Sequence, residues 1–193
     1  CAFGLLGNSR AFVESAVELV RQDCIENWKF AILHLWTALE LLLKARLSIE
    51  DHRHLVTGKR HVSDRQFDDG DFVSVGVEEC IDKLTQHSQF TLTARQLQVI
   101  SQLRNLRNRV AHFTEPGDAA ALRSSVAAGL NLFIEISHAA GFRDDETFGT
   151  KSVQGLVTEL HQYEEFVKER RAAIAERLRA ATRPRTHYAD ECS

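Results

Sequence analysis

The feature that most constrains this chain is the segment at residues 27–50, NWKFAILHLWTALELLLKARLSIE, which is apolar on nearly every side if it forms a helix. A helix at the surface of a globular protein carries a single apolar stripe, whereas a helix that is apolar nearly all round has to be covered on several sides. We therefore predict a buried central helix, capped by Asn27, with further helices packed around it.

The rest of the chain can supply those covering helices, because it holds only two prolines and no long stretch with the alternation of a β-strand. Residues 51–72 are polar and rich in turn formers, which predicts a long loop with at most a short helix near its start. The other predicted helices are residues 9–24 with Ser9 as N-cap, 75–87, 93–113 with Thr93 as N-cap, and 118–140 with Asp118 as N-cap and Gly141 as its end.

We expect residues 1–150 to form one all-α domain, an antiparallel helical bundle, followed by a long amphipathic helix within residues 151–182. The apolar residues of this last helix recur at spacings of three and four: Val153, Leu156, Leu160, Tyr163, Val167, Ile174 and Leu178. It packs back on the bundle or pairs with its own copy, or it is a solvated helix that leads to a further segment, which its basic end favours. Pro184 stops it. Residues 183–193 are expected to be a tail that leads to a missing segment, because YADECS stops abruptly after a cysteine. The chain has no methionine and begins at Cys1, so we expect its natural start to be missing as well.

Composition argues against several classes of function. Lys and Arg number 24 against 27 Asp and Glu, and the net charge of −3 argues against non-specific binding to nucleic acid, which depends on an excess of positive charge. No apolar run approaches the roughly 20 residues that a membrane span needs, so we expect a soluble protein with no membrane partner. The four cysteines form no C-x-x-C pair, which argues against a disulfide framework or a closed zinc site and fits a reducing, cytoplasmic setting.

The candidate site lies towards the end of the helix that Thr93 is predicted to cap, in the stretch ISQLRNLRNRVAHFTEPGD. At about 100° per residue, one stripe of this helix is apolar and faces the core: Val99, Leu103, Leu106, Val110 and Phe113. Arg104, Asn108 and His112 are spaced by four and line up on another, polar face. Arg107 flanks the apolar stripe, with a side chain long enough to reach round to the polar face.

These residue types suit the handling of a phosphodiester. Arginine is always charged and grips phosphate with a two-pronged fork, asparagine can orient either partner, and histidine can transfer a proton near neutral pH. The alternative is an ordinary solvated face, with a histidine that favours the negative end of the helix dipole.

The pattern further favours chemistry without a metal. A metal-dependent nuclease needs clustered carboxylates, and the helix offers none before Glu115. RNA supplies its own nucleophile, the 2′-hydroxyl. One histidine is insufficient for the usual pairing of base and acid, so we expect a two-fold dimer that brings two copies of His112 together.

The six residues RNRVAH, Arg107 to His112, resemble the R-x4-6-H motif of the HEPN superfamily, and FAILHLWTALELLLKARL is similar to the buried second helix of bacterial HEPN proteins. The likeness covers roughly residues 9–140. It implies an antiparallel helical bundle that dimerises around a composite cleft. It also implies an endoribonuclease with a toxin or antiviral defence role, which needs no cofactor and leaves 2′,3′-cyclic phosphate and 5′-hydroxyl ends.

By this resemblance, Arg107 binds and orients the phosphate, Asn108 positions the groups, and His112 transfers the proton. Arg104 and Arg109 are added from the helical geometry as substrate-binding residues. The expected partners are RNA, as tRNA or single-stranded loops, a second copy of the chain, and an antitoxin or sensor module.

HEPN proteins differ among themselves in their antitoxins and in whether they are catalytic. Some HEPN toxins carry a tyrosine two residues after the histidine, which a partner nucleotidyltransferase modifies, and Thr114 at that position argues against this type of antitoxin. Other members have lost catalysis, so a non-catalytic dimerisation or interaction module is the alternative function. A metal-dependent hydrolase is a third class, and it would lose its activity in a chelator.

Glu40 is an acidic residue within the apolar central helix, where an unpaired charge would be costly. It either forms an exposed pair with Lys44, one turn later at the margin of the helix, or reaches Arg107 and fixes its guanidinium in the cleft.

Other potential metal ligands are poorly spaced. His52, His54 and His61 follow no known zinc pattern, so a solvated loop is the favoured interpretation. Cys192 would be the first ligand of a zinc ribbon if the chain continued beyond Ser193.

Overall fold

A computed structural model describes residues 2–22, 24–58, 62–112 and 119–143, together with the isolated positions 168, 172, 174 and 175. Its elements are α1 (Ala2–Arg21), α2 (Ile25–Glu50), a 3-10 turn (His52–Leu55), α3 (Asp64–Asp68), α4 (Val77–His87), α5 (Ala94–His112) and α6 (Ala119–Ala139). In this part of the chain the only β-structure is an isolated bridge between Val56 and Ser74, so the predicted all-α class is confirmed. None of the described helices is both long enough and apolar enough to cross a membrane.

Several predictions fall outside the described residues. They are the capping role of Asp118, the long helix within 151–182 apart from the four isolated positions, and the tail at 183–193. The division of the chain into these segments stays a prediction.

The predicted buried central helix is confirmed as α2. It contacts α1, α4, α5, α6 and the 3-10 turn, and side chains all round it are buried. Its start differs from the prediction, because Cys24 and not Asn27 is the N-cap residue. The backbone of Cys24 is extended and its carbonyl accepts from Trp28 N at 3.1 Å, while Asn27 lies inside the helix and its side chain donates to Gln22.

Helix α1 begins at Ala2, so the prediction of Ser9 as its N-cap is wrong. Ser9 is fully buried in the middle of α1, and its hydroxyl donates to the carbonyl of Ala38 on α2 at 2.7 Å. Six residues further along α1, Ser15 Oγ lies 2.8 Å from His34 Nδ1. Partners on α2 thus run backwards as α1 runs forwards, so the two helices are antiparallel.

Helix α5 is capped by Thr93, as predicted. Thr93 Oγ1 accepts from Gln96 N at 3.2 Å, and Gln96 Oε1 accepts in return from Thr93 N at 2.9 Å, which is a capping box. Gln96 Nε2 then donates to the buried carboxylate of Glu135 on α6 at 3.1 Å. Asn131 donates to the same carboxylate at 2.7 Å and Arg95 approaches it at 3.4 Å, so this Glu135 cluster holds the start of α5 against α6.

Gly129 on α6 lies where three helices meet. A Cβ atom at this position would be 2.5 Å from Leu35 Cδ2 on α2 and 3.0 Å from Leu103 Cδ1 on α5. Any larger residue at position 129 would force the buried Leu35 side chain to shift, so glycine favours the close approach of α6 to both neighbours. Because Gly129 faces Leu103 while Glu135 faces Gln96, α5 and α6 are antiparallel.

The segment that follows α2 contains more structure than predicted. The 3-10 turn near its start agrees with the prediction of at most a short helix there, and the Asp51 side chain accepts from Arg53 N at its beginning. Helix α3 was missed, although Ser63 and Gln66 form its capping box. The S-x-x-Q spacing at these two positions is the signal that could have found it.

Candidate functional site

Helix α5 has a buried apolar side and an exposed polar side, as its periodicity predicts. Val99 and Leu103 are buried and Leu106 packs against the core, whereas Phe113 of the predicted stripe lies outside the described residues. On the other side Asn108 and His112 are exposed. The helix thus keeps its polar end accessible while its apolar stripe attaches it to α2 and α6.

The candidate catalytic residues occupy the last turns of α5. Arg107 is half-buried, whereas Asn108, Arg109 and His112 are exposed. A phosphate or another large anion in solvent could therefore reach all four. Within the described residues, no three His, Cys, Asp or Glu side chains are grouped to hold a metal ion. The groups that these four side chains offer are N–H donors, an amide oxygen and an imidazole.

Arg107 contacts an aromatic residue that sequence reasoning missed. Its guanidinium carbon lies 5.2 Å from the ring centroid of Trp36 on α2. Trp36 is 6% exposed. Two N–H groups at this contact, Nε1 of Trp36 and Nε of Arg107, are buried and have no acceptor in the described part of the chain. No signal in the sequence pairs Trp36 with Arg107, because the two residues lie on different helices that are far apart along the chain.

Arg104 is predicted to bind substrate, and the structure gives it a protein partner. Its guanidinium forms an ion pair with Glu78 in the first turn of α4. The side chains are 37% and 73% exposed, so solvent screens this pair. The carboxylate of Glu78 thus partly offsets the positive charge of Arg104 on the predicted polar face.

Glu40 pairs with Lys44, as in the first of the two alternatives, but the predicted exposure of this pair is wrong, because Lys44 is buried. Lys44 Nζ lies 2.6 Å from Glu40 Oε1 and also donates to Ser74 Oγ at 3.0 Å. Among the described residues no ion pair joins Glu40 to Arg107, whose guanidinium contacts Trp36 instead. The structure therefore does not bring Glu40 together with the motif through a direct contact.

The histidines near the 3-10 turn have separate aromatic partners. His52 meets the ring of Phe67 edge-on at 4.9 Å, and His54 stacks on His87 at 4.1 Å. Burial lowers the pKa of His54, and the nearby His87 lowers it further, which favours the neutral form. His61 lies outside the described residues.

The cysteines within the described residues differ in environment. Cys24 is exposed and donates to Glu26 Oε2 at 2.7 Å, while Cys80 is buried and burial raises the pKa of its thiol to about 12. Such a thiol is a poor nucleophile and a poor metal ligand near neutral pH. Cys192, the candidate zinc ligand, lies outside the described residues.

No protein-family model, curated protein or solved structure matches this chain. The function therefore has to be inferred from the motif helix and the residues that surround it.

Proposed function

We propose that this chain is a metal-independent endoribonuclease of the HEPN type, with a toxin or antiviral defence role. The observation that carries the proposal is the joint position of Arg107, Asn108 and His112 at the accessible end of a helix whose other side is buried. The antiparallel pairs α1 with α2 and α5 with α6 around a buried central helix support the HEPN assignment.

In the proposed reaction the 2′-hydroxyl of RNA attacks the neighbouring phosphorus. Arg107 holds the phosphate oxygens and offsets the charge that develops on them. His112 removes the proton of the attacking hydroxyl, and Asn108 orients the reacting groups. The bond from phosphorus to the 5′-oxygen breaks, which gives a 2′,3′-cyclic phosphate and a 5′-hydroxyl.

The leaving 5′-oxygen needs a proton, and a second copy of His112 can supply it. A homodimer that joins two α5 ends provides this second imidazole, and two-fold symmetry is the commonest arrangement of two identical chains. The preferred substrate is single-stranded RNA or a tRNA loop, because splayed nucleotides can place their own 2′-hydroxyl in line with the phosphate. An antitoxin or sensor module would control access to the cleft.

One observation favours a second candidate function, a non-catalytic dimerisation or interaction module. Arg104 and Arg107 both make contacts within the chain, to Glu78 and Trp36. An arginine-bearing helix face in a purely structural role makes contacts of the same kind.

Cleavage in the presence of a chelator separates these functions. The wild-type protein and its His112→Ala variant are incubated with total tRNA and with a mixed single-stranded RNA, and the ends of the fragments are determined. His138→Ala is the matched control, because it also replaces an exposed histidine near the end of a helix but lies outside the motif. A contaminating nuclease would cleave in all three preparations.

We expect wild type and His138→Ala to produce cyclic-phosphate and 5′-hydroxyl ends and His112→Ala to produce none. Equal cleavage by all three proteins would refute the role of His112. No cleavage by a dimeric preparation would favour the interaction module, and cleavage that the chelator abolishes would favour a metal-dependent hydrolase.

A further inference from the structure

Trp36 holds the guanidinium of Arg107 from a different helix. The distance of 5.2 Å from the guanidinium carbon to the ring centroid lies within the range of about 6 Å in which a cation is attracted to the face of a tryptophan ring. Since Trp36 is 6% exposed and lies on the central helix α2, its ring is fixed by packing. The guanidinium of Arg107 on α5 thus packs against a ring on α2 that has little freedom to move.

The contact with a ring leaves the charge of Arg107 unneutralised. In the described part of the chain, no carboxylate pairs with Arg107, and Glu40, a candidate partner, is taken by Lys44. An aromatic face orients a guanidinium without competing for its in-plane N–H donors, which are the groups that grip phosphate. Arg107 is therefore held in place and still able to bind an anion.

Two buried donors beside this contact point the same way. Arg107 Nε and Trp36 Nε1 have no acceptor among the described residues. Buried N–H groups in folded proteins nearly always have a partner, and those left without one occur at strained or functional positions and where a water or ion binds. Both atoms are closed off from solvent, so the outer N–H groups of the half-buried Arg107 are the ones that a phosphate can reach.

We propose that Trp36 is a positioning residue for Arg107, and that the two together bind a phosphodiester of single-stranded RNA. The inference rests on the proposed ribonuclease function. Trp36 acts through Arg107, by fixing the plane of the guanidinium so that its outer N–H groups face the phosphate next to His112.

The molecule contains a matched control for this contact. Arg123 on α6 lies 5.6 Å from the ring of Trp28, which is 4% exposed and also on α2. Both tryptophans are thus buried and each meets one arginine of another helix. Only Arg107 belongs to the motif, so replacing Trp28 measures the structural cost of losing such a ring.

The chain has two tryptophans, which allows each to be observed alone by fluorescence. In the Trp28→Phe variant Trp36 is the only tryptophan, and in Trp36→Phe it is Trp28; excitation selective for tryptophan excludes the two tyrosines. Both are titrated with a single-stranded oligonucleotide of mixed sequence that carries 2′-O-methyl groups and so cannot be cleaved. We expect a saturable change in emission for Trp36, its loss when Arg107→Gln is added, and no change for Trp28.

Cleavage of an unmodified RNA gives the second readout. Trp36→Leu should lower kcat/KM by about threefold to thirtyfold, the range that a cation–π contact spans. Trp36→Phe keeps an aromatic face and should restore most of this loss, whereas Trp28→Leu should cleave like wild type. Thermal unfolding of both leucine variants shows whether the loss of a ring has a comparable effect on stability.

The outcomes separate this inference from the proposed function. If wild type cleaves RNA and a folded Trp36→Leu cleaves it equally well, the positioning role is wrong. If Trp36→Leu fails to fold, the positioning role is tested by the fluorescence titration instead, with Trp36→Phe as the folded variant. The role is then supported only if the emission of Trp36 changes with the oligonucleotide and this change requires Arg107. If wild type cleaves nothing, the ribonuclease proposal fails, and an Arg107-dependent signal from Trp36 would still establish the pair as a phosphate-binding site. If the emission of Trp36 does not change on addition of the oligonucleotide, Trp36 and Arg107 do not form a phosphate-binding site.

Discussion

Arg104 on the motif helix forms an ion pair with Glu78 on α4. The two residues lie on different helices and both are accessible to solvent. An RNA phosphate that approached Arg104 would therefore compete with a carboxylate that is already present.

The first prediction follows from that competition. Glu78→Gln should raise the affinity for single-stranded RNA about twofold to fivefold, because it releases Arg104 and removes a negative charge that repels the phosphates. Arg104→Gln should lower the affinity by a similar factor. Binding of a non-cleavable oligonucleotide, measured by fluorescence anisotropy at two salt concentrations, checks both.

Glu18→Gln is the control for the change in net charge, because Glu18 is an exposed carboxylate on α1 in an ion pair with Arg21. Its affinity should stay close to that of wild type. If Glu78→Gln and Glu18→Gln bind RNA equally, or if Arg104→Gln binds like wild type, Arg104 is not a contact of the RNA.

The second prediction concerns the crossing of three helices at Gly129. Gly129→Ala should lower the free energy of unfolding by about 1–3 kcal/mol, because its Cβ would overlap Leu35 and approach Leu103 too closely. Gly7→Ala is the matched control, since Gly7 is also in a helix and a Cβ there would meet nothing within 4 Å. That variant should be more stable than wild type by about 0.5–1 kcal/mol, as alanine is the better helix former. Urea denaturation measures both, and a Gly129→Ala as stable as Gly7→Ala would contradict the packing described.

The third prediction concerns the carboxylate of the Glu135 cluster. Glu135→Gln keeps the size of the side chain but removes the charge to which Gln96, Asn131 and Arg95 are directed. The free energy of unfolding should fall by about 1.5–3 kcal/mol, the usual contribution of a hydrogen bond to a charged group. Glu14→Gln on the exposed side of α1 should change it by less than about 0.5 kcal/mol. Equal urea midpoints for the two variants would show that the cluster does not stabilise the fold.

The fourth prediction concerns pH. The hydroxyl of Thr57 donates to Glu79 at 2.5 Å and is the main cause that lowers the pKa of this carboxyl below its usual value of 4.5. A carboxyl with a lowered pKa in the folded state adds stability above the unfolded value, and that stability is lost as the pH falls through the folded value.

Thr57→Val should therefore lower the urea midpoint at about pH 7, and the difference from wild type should shrink as the pH is lowered well below 4.5. Thr85→Val is the control, since the hydroxyl of Thr85 donates to the carbonyl of Ile81 and not to a carboxylate. A difference between Thr57→Val and wild type that is the same at both pH values would exclude Glu79 as its cause.

Features that depend on neighbours in sequence could be predicted. The cap at Thr93 and the pair of Glu40 with Lys44 involve residues three or four apart, whose separation in a helix is set by its geometry. The burial of α2 follows from its apolar character on all sides.

Features that depend on how helices pack could not be predicted from the sequence. Ser9 has the sequence character of an N-cap residue, but its partner is a carbonyl 29 positions away on α2. The same holds for Glu78 beside Arg104 and for Trp36 beside Arg107, which are distant in sequence and meet only once α2, α4 and α5 have packed.

The attachment of α5 at Glu135 has a consequence for genetic screens. From Gln96, which bonds this carboxylate, to His112 is 16 residues, or about 24 Å along a helix. Under the proposed function, a selection for chains that have lost activity would recover destabilising replacements of Glu135 as well as replacements of His112. In such a Glu135 variant α5 would be displaced or unfolded while the residues of the motif are unchanged. The amount of each variant protein in the cell therefore has to be measured before a residue found in the screen is assigned a chemical role.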